Sequence, residues 1–127
     1  MSTSSALVID DDPTAREAVR YVLEKAGFVV REAGDGREGL ESYRRTPADV
    51  VVTDLFMPEK DGHEFLMELK SEFPESRVIV MSAIGDTDLY GANFAIATAL
   101  GAEATLYKPL DRENLLLILR RLNVGQD

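Results

Sequence analysis

Short apolar runs alternate with amphipathic segments along the chain. The continuous apolar runs are typical of strands buried on both faces of a parallel sheet. We predict strands at 6–9, 28–33, 49–54, 78–81 and 104–107. Apolar residues at helical spacing predict helices at 13–26, near 37–45, around 65–73, in a segment ending near 101, and at about 112–122. Such alternation predicts an α/β fold, in which a five-stranded parallel sheet is doubly wound with helices on both faces.

Four of the apolar runs stop at a polar or charged residue. These residues are Asp10, Asp54, Ser82 and Lys108. In a parallel sheet the carboxyl ends of the strands lie along one edge, and open sheets of this class bind ligands there. The sequence therefore predicts that carboxylates, a hydroxyl and an amine converge on one site, with Asp54 as the candidate nucleophile.

An acidic cluster follows the first predicted strand. Asp12 is placed to cap a helix whose first residue is Pro13. Asp10 and Asp11 can be read simply as solvated acids. If they lie beside Asp54, however, the carboxylates raise one another's pKa unless a cation sits between them. Mg²⁺ suits such a group, and Mn²⁺ can replace it.

The remaining polar strand ends fit phosphate chemistry. Lys108 supplies a point charge for a phosphoryl group, and Ser82 supplies a hydrogen-bond donor. Each also has an ordinary interpretation, as a surface lysine and as a strand-end cap. Together with a carboxylate nucleophile and a divalent metal, they predict phosphoryl transfer to Asp54.

Size, charge and composition narrow the class of protein. The 127 residues fit one domain, with a core at about 6–122, and there is no cysteine for a disulfide or thiolate site. The net charge of −9 argues against nucleic-acid binding by this domain. The polar start and the lack of a long apolar stretch lead us to expect no secretion signal, no membrane segment and a cytoplasmic domain.

The chain resembles the receiver domains of two-component response regulators, the CheY-like family. The segments that carry the resemblance are Val8-Ile9-Asp10-Asp11-Asp12-Pro13, Asp54-Leu55-Phe56-Met57-Pro58 with Asp61-Gly62, Met81-Ser82-Ala83 and Tyr107-Lys108-Pro109. Each segment alone is a weak signal, but all four in this order at strand ends are specific. The resemblance implies a flavodoxin-like strand order, 2-1-3-4-5.

The resemblance also implies roles for individual residues. Asp54 would accept a phosphoryl group from a histidine kinase or a histidine phosphotransfer protein. Asp11 and Asp54 would bind Mg²⁺ directly with the backbone carbonyl of Phe56, and Asp10 would act mainly through water. Ser82 would hydrogen-bond the phosphoryl oxygen, and Lys108 would pair with it.

Tyr107 stands where the family has an aromatic switch residue. The implied switch moves Ser82 toward the phosphate, admits Tyr107 to the vacated space and changes the face formed by helix four, strand five and helix five. That face would control a downstream effector protein or an output domain. A homodimer through helices four and five is a further expectation, because both are apolar beyond one inward stripe.

The interval between Ser82 and Lys108 departs from the family. It is longer than usual by about four residues, roughly one helical turn. The excess falls between Ala83 and Gly101. We therefore expect a longer or shifted fourth helix.

Three other functions compete with this interpretation. A metal-dependent phosphohydrolase needs a second acid two residues after the nucleophile, where this chain has Phe56. A flavodoxin-like cofactor carrier needs a phosphate loop where this chain has Asp10, Asp11 and Asp12. A degenerate receiver would act as a phosphorylation-independent interaction module, but every site residue is retained.

Phe56 and Ile84 lie two residues beyond Asp54 and Ser82. Both are bulky and apolar, so we expect them to hinder the attack of water on the phosphoryl group and to make that group long-lived.

Overall fold

The computed structural model describes residues 4–57, 60–83 and 92–125. Five strands are present in this part of the chain: β1 (Ser5–Ile9), β2 (Val29–Ala33), β3 (Val50–Asp54), β4 (Val78–Ala83) and β5 (Ala104–Lys108). Five helices alternate with them: α1 (Pro13–Lys25), α2 (Gly36–Arg45), α3 (Gly62–Glu72), α4 (Ala92–Ala99) and α5 (Arg112–Arg121). All strand pairs are parallel and the order is β2-β1-β3-β4-β5, so the predicted doubly wound fold is confirmed.

The sheet separates two apolar layers, because successive side chains of a strand point to opposite faces. In β1, Leu7 and Ile9 face the layer that contains α2 and α3, whereas Ala6 and Val8 face α1 and α5. Every residue of the central strand β3 is buried. This explains why its sequence is a continuous apolar run and not an alternating one.

Aspartate caps fix where four of the helices begin. The side chain of Asp12 accepts a hydrogen bond from the Thr14 backbone N–H, as the sequence predicts. Asp35, Asp61 and Asp111 cap α2, α3 and α5 in the same way. An N-cap of this kind satisfies one of the free backbone donors of the first turn.

Several predicted boundaries shift by one or two residues. β2 begins at Val29, and Phe28 precedes it as a buried residue of the layer under α1. β4 continues through Ala83, so Ser82 lies within the strand and not after it. β5 likewise includes Lys108, and the following peptide bond to Pro109 is cis.

The fourth helix is the least embedded of the described helices. α4 has eight residues, and Ala97 is its buried one. The predicted end near Gly101 agrees with the observed end at Ala99. Residues 84–91 lie outside the described part of the chain, so the expected effect of the extra residues stays a hypothesis. Among the described residues, no helix is long and apolar enough to cross a membrane.

Candidate acidic site at the carboxyl edge of the sheet

Three carboxylates meet where β1 and β3 end. One oxygen each from Asp10, Asp11 and Asp54 can be chosen so that all three lie within 4.8 Å of one another. Asp10 and Asp54 are buried, whereas Asp11 is exposed. This arrangement follows from the register, which pairs Ile9 with Thr53 and so brings the two following aspartates to the same edge.

Lys108 reaches across the sheet edge to two of these acids. Its Nζ lies 2.8 Å from Asp10 Oδ2 and 3.3 Å from Asp54 Oδ1. Burial alone would lower the pKa of Lys108, but the hydrogen bond to Asp10 and the charge of Asp54 outweigh it and raise that pKa. Lys108 is therefore a permanent cation at neutral pH, fixed beside the oxygen atoms of Asp54.

Asp54 is an unusual carboxyl group. Its pKa is raised to about 6, chiefly by burial; Lys108 opposes the increase, and the charges of Asp10 and Asp11 add to it. One ammonium faces three carboxylates, so an excess of negative charge remains when all three are ionised. Hard carboxylate oxygens with that excess charge fit Mg²⁺ or Mn²⁺.

The backbone around Asp54 is tightly packed. The Leu55 N–H donates to the Met81 carbonyl at 3.0 Å, and the Gly62 N–H donates to the Leu55 carbonyl at 2.8 Å. A Cβ on Gly62 would lie 2.5 Å from the Asp54 carbonyl oxygen. Only glycine therefore allows α3 to begin this close to β3.

Asp10 is held at both its side chain and its backbone. Its Oδ1 accepts from the Asp12 N–H at 3.0 Å, and its own N–H donates to the Ala33 carbonyl at 3.1 Å. Its carbonyl accepts from Arg16 Nη1 at 2.8 Å. The sequence analysis did not identify Arg16. Every residue has a backbone carbonyl, so the sequence does not indicate which carbonyl an arginine side chain will bond.

Ser82 and Tyr107 are direct partners in the pairing of β4 with β5. Ser82 is fully buried, and its Oγ lies 3.4 Å from the Ala83 carbonyl. Tyr107 is 40% exposed, and its ring packs on Phe94 of α4 with centroids 4.6 Å apart. The ring thus lies on the outer side of β5 in this structure.

Known proteins resemble the chain over nearly its full length. The model of the response regulator receiver domain matches residues 6–120. The chain is 30% identical to chemotaxis protein CheY of Thermotoga maritima over 92% of this chain and 95% of that protein. The chain belongs to the response regulator receiver domain family.

Longer relatives and solved structures agree with this assignment. The receiver domain is 35% identical to the probable transcriptional regulatory protein TcrX of Mycobacterium tuberculosis, over 93% of this chain. It spans about half the length of that relative, 49%. A receiver domain protein from Clostridium thermocellum is 32% identical with a TM-score of 0.83, covering 94% of this chain and 93% of that one. A chain of the CheX–CheY–BeF₃–Mg²⁺ complex from Borrelia burgdorferi is 27% identical with a TM-score of 0.86, and the match covers 95% of this chain and 90% of that one.

Proposed function

We propose that Asp54 is the phosphoacceptor of this receiver domain. The observation that carries the proposal is the placement of its buried carboxylate within the acidic group and 3.3 Å from Lys108 Nζ. With a pKa of about 6, Asp54 is mostly ionised at pH 7.5 and able to act as a nucleophile.

The proposed chemistry is the transfer of a phosphoryl group from a histidine nitrogen to a carboxylate oxygen. An oxygen of Asp54 forms a bond to phosphorus while the bond from phosphorus to the imidazole nitrogen of a phosphohistidine breaks. The donor is a histidine kinase or a histidine phosphotransfer protein. Lys108 lies where it can pair with the incoming phosphoryl oxygens. The product is an aspartyl phosphate, so the domain acts as a signalling acceptor and not as an enzyme.

The acidic group supports a divalent cation site. Asp11 and Asp54 would hold Mg²⁺ together with the Phe56 carbonyl, and Asp10 would contribute mainly through water. When bound, such an ion supplies neutralisation of charge on the phosphoryl oxygens. The Asp10 carboxylate already accepts hydrogen bonds from Lys108 and from the Asp12 N–H, which agrees with an indirect contact to the ion through water.

The readout in this proposal runs through Ser82 and Tyr107 to the face of α4, β5 and α5. Ser82 would bond the phosphoryl oxygen, and Tyr107 would leave Phe94 and turn inward. Leu117 of α5 is 43% exposed and Ile96 of α4 is 49% exposed on these elements. We propose this face as the contact with an effector or output domain, or with a second copy.

We further propose that residues 1–127 contain one receiver domain, with its core at about 6–122, and that this domain is located in the cytoplasm.

Incubation with acetyl phosphate and Mg²⁺ tests the proposed acceptor by intact mass. We expect wild type to gain one phosphoryl group and Asp54→Asn to gain none. Asp61→Asn is the matched control, because Asp61 caps α3 outside the carboxylate group and should not affect uptake. Equal uptake by wild type and Asp54→Asn would refute the proposal. Failure of both to react would refute it as well.

The lifetime of the phosphoryl group is a further prediction. Phe56 lies two residues beyond Asp54 and is 48% exposed, so its ring can shield the approach of water. Ile84, the second residue expected to do so, lies outside the described residues. We expect phosphorylated wild type to decay more slowly than Phe56→Asn in Mg²⁺. Equal decay rates would rule out shielding by Phe56.

A further inference from the structure

Arg16 connects α1 to the backbone of the acidic site. It lies on the first turn of α1, and its side chain is 22% exposed. Its Nη1 donates to the Asp10 carbonyl at 2.8 Å, and its Nε donates to Glu32 Oε1 at 2.7 Å. The planar guanidinium makes both bonds at once, which a single ammonium could not do in the same geometry.

The bonded carbonyl lies at a critical point of the chain. Asp10 follows the last residue of β1, so the regular pairing of the strand ends there. The Asp10 carbonyl belongs to the peptide unit that continues to Asp11, and a peptide unit is planar. A donor that fixes the carbonyl therefore also fixes the direction in which the chain enters Asp11. The exposed Asp11 carboxylate accepts no hydrogen bond of its own among the described residues.

Glu32 holds the guanidinium in place. It accepts from Arg16 and also pairs with Arg20, one turn further along α1. These two hydrogen bonds, Arg16 first, lower the pKa of Glu32, so it is ionised at neutral pH. Arg20 bonds Glu24 and Glu32. Arg16 and Arg20 thus share the same anion, but Arg16 is the one that bonds Asp10.

We propose that Arg16 is a positioning residue for the divalent cation site, with Glu32 as its anchor. Arg16 acts through the Asp10 carbonyl and orients the peptide that carries Asp11. The inference rests on the proposed function, in which Asp11 binds the ion directly.

The direction in which the Mg²⁺ affinity changes when Arg16 is replaced separates positioning from simple electrostatics. Arg16 is a cation near a site for another cation, so on charge alone its removal should tighten Mg²⁺ binding. Loss of positioning should weaken it, and groups that orient metal ligands typically contribute 10- to 100-fold in affinity. We expect Arg16→Gln to raise the Kd for Mg²⁺ by about 10-fold, the lower end of that range.

Calorimetric titration of Mg²⁺ into the full chain measures this Kd for wild type and for each variant. Urea unfolding establishes that each variant is folded. Arg20→Gln is the matched control, because it removes the same charge from the same anion but leaves the Asp10 carbonyl bonded. We expect its Kd to stay at or slightly below that of wild type. Arg16→Lys keeps the charge and should still weaken binding; it also serves as the test if Arg16→Gln does not fold.

The outcomes are distinct. Weaker binding in both Arg16 variants, with Arg20→Gln near wild type, supports positioning. Arg16 variants that bind as tightly as Arg20→Gln would overturn the inference and leave the proposed function intact. A wild-type protein that does not bind Mg²⁺ would overturn both.

Discussion

The acidic site and helix α4 are held in place to very different degrees. Within the described part of the chain, Asp10 makes four hydrogen bonds, with Ala33, Arg16, Asp12 and Lys108. In α4 the buried residue is Ala97, and Phe94 is partly buried against its neighbours. The preceding helix α3, by contrast, buries Phe65, Leu66 and Leu69 completely.

This difference agrees with the two tasks of a receiver domain. A phosphoryl-transfer site needs charges that are fixed before the reaction, because reorganisation raises the barrier. A readout element needs two arrangements of similar free energy, so that a small differential affinity can shift the population. Few buried contacts give α4 a low cost of rearrangement.

The largest expected effect is stabilisation of the metal-free protein by Asp54→Asn. The pKa of Asp54 is raised to about 6 in the folded protein, so the folded state binds its proton more tightly than the unfolded state. Ionisation of Asp54 therefore lowers the free energy of unfolding as pH rises from about 4 to about 6. A rise of the pKa from 3.8 to about 6 corresponds to about 3 kcal/mol in the free energy of unfolding.

Urea unfolding at pH 4 and pH 7.5 in a chelator measures this effect. We expect Asp54→Asn to gain up to about 3 kcal/mol at pH 7.5 and almost nothing at pH 4. Asp11→Asn is the control, and it should gain much less because Asp11 is exposed. Equal gains at both pH values would show that ionisation of Asp54 does not strain the fold.

The second effect concerns the stability of α4 itself. We expect the amides of α4 to exchange with solvent through openings that cost at least about 2 kcal/mol less than those of α3, since α3 buries three large side chains and α4 buries an alanine. Native-state hydrogen exchange resolves both helices in one experiment. Equal protection of the two helices would contradict the contrast between site and readout.

The smallest effect is at the contact between α4 and β5. Phe94→Leu removes the ring packed on Tyr107, a pair worth about 1 kcal/mol, or about fivefold in an equilibrium constant. If this contact holds Tyr107 outward, the variant should bind the phosphoryl mimic BeF₃⁻ with Mg²⁺ about fivefold more tightly.

Phe73→Leu is the matched control for this variant. Phe73 packs on Tyr43 with ring centroids 4.9 Å apart, so the same substitution removes a comparable pair elsewhere in the fold. It should reduce stability without changing the affinity for BeF₃⁻. A similar change of affinity in both variants would indicate general loosening and not release of Tyr107.

The sequence was sufficient to predict those parts of the fold and the site whose signal is local or repeated along the chain. Continuous apolar runs identified the strands, and polar strand ends led to Asp10, Asp54 and Lys108, which the fold brings together. The sequence alone could not reveal the support for the site. Arg16 bonds a backbone carbonyl, and its anchor Glu32 lies on a neighbouring strand. The extent of β4 was also missed, because Ser82 is polar but fully buried within the strand.

The central claim is that the phosphoryl group is carried by Asp54, and peptide mapping of the phosphorylated protein tests it most directly. After reaction with acetyl phosphate and Mg²⁺, borohydride reduction converts an aspartyl phosphate to homoserine and marks the acceptor permanently. We predict homoserine at position 54 of wild type and nowhere else in the acidic group. Homoserine at Asp10 or Asp11 in wild type, or at none of the three, would contradict the account.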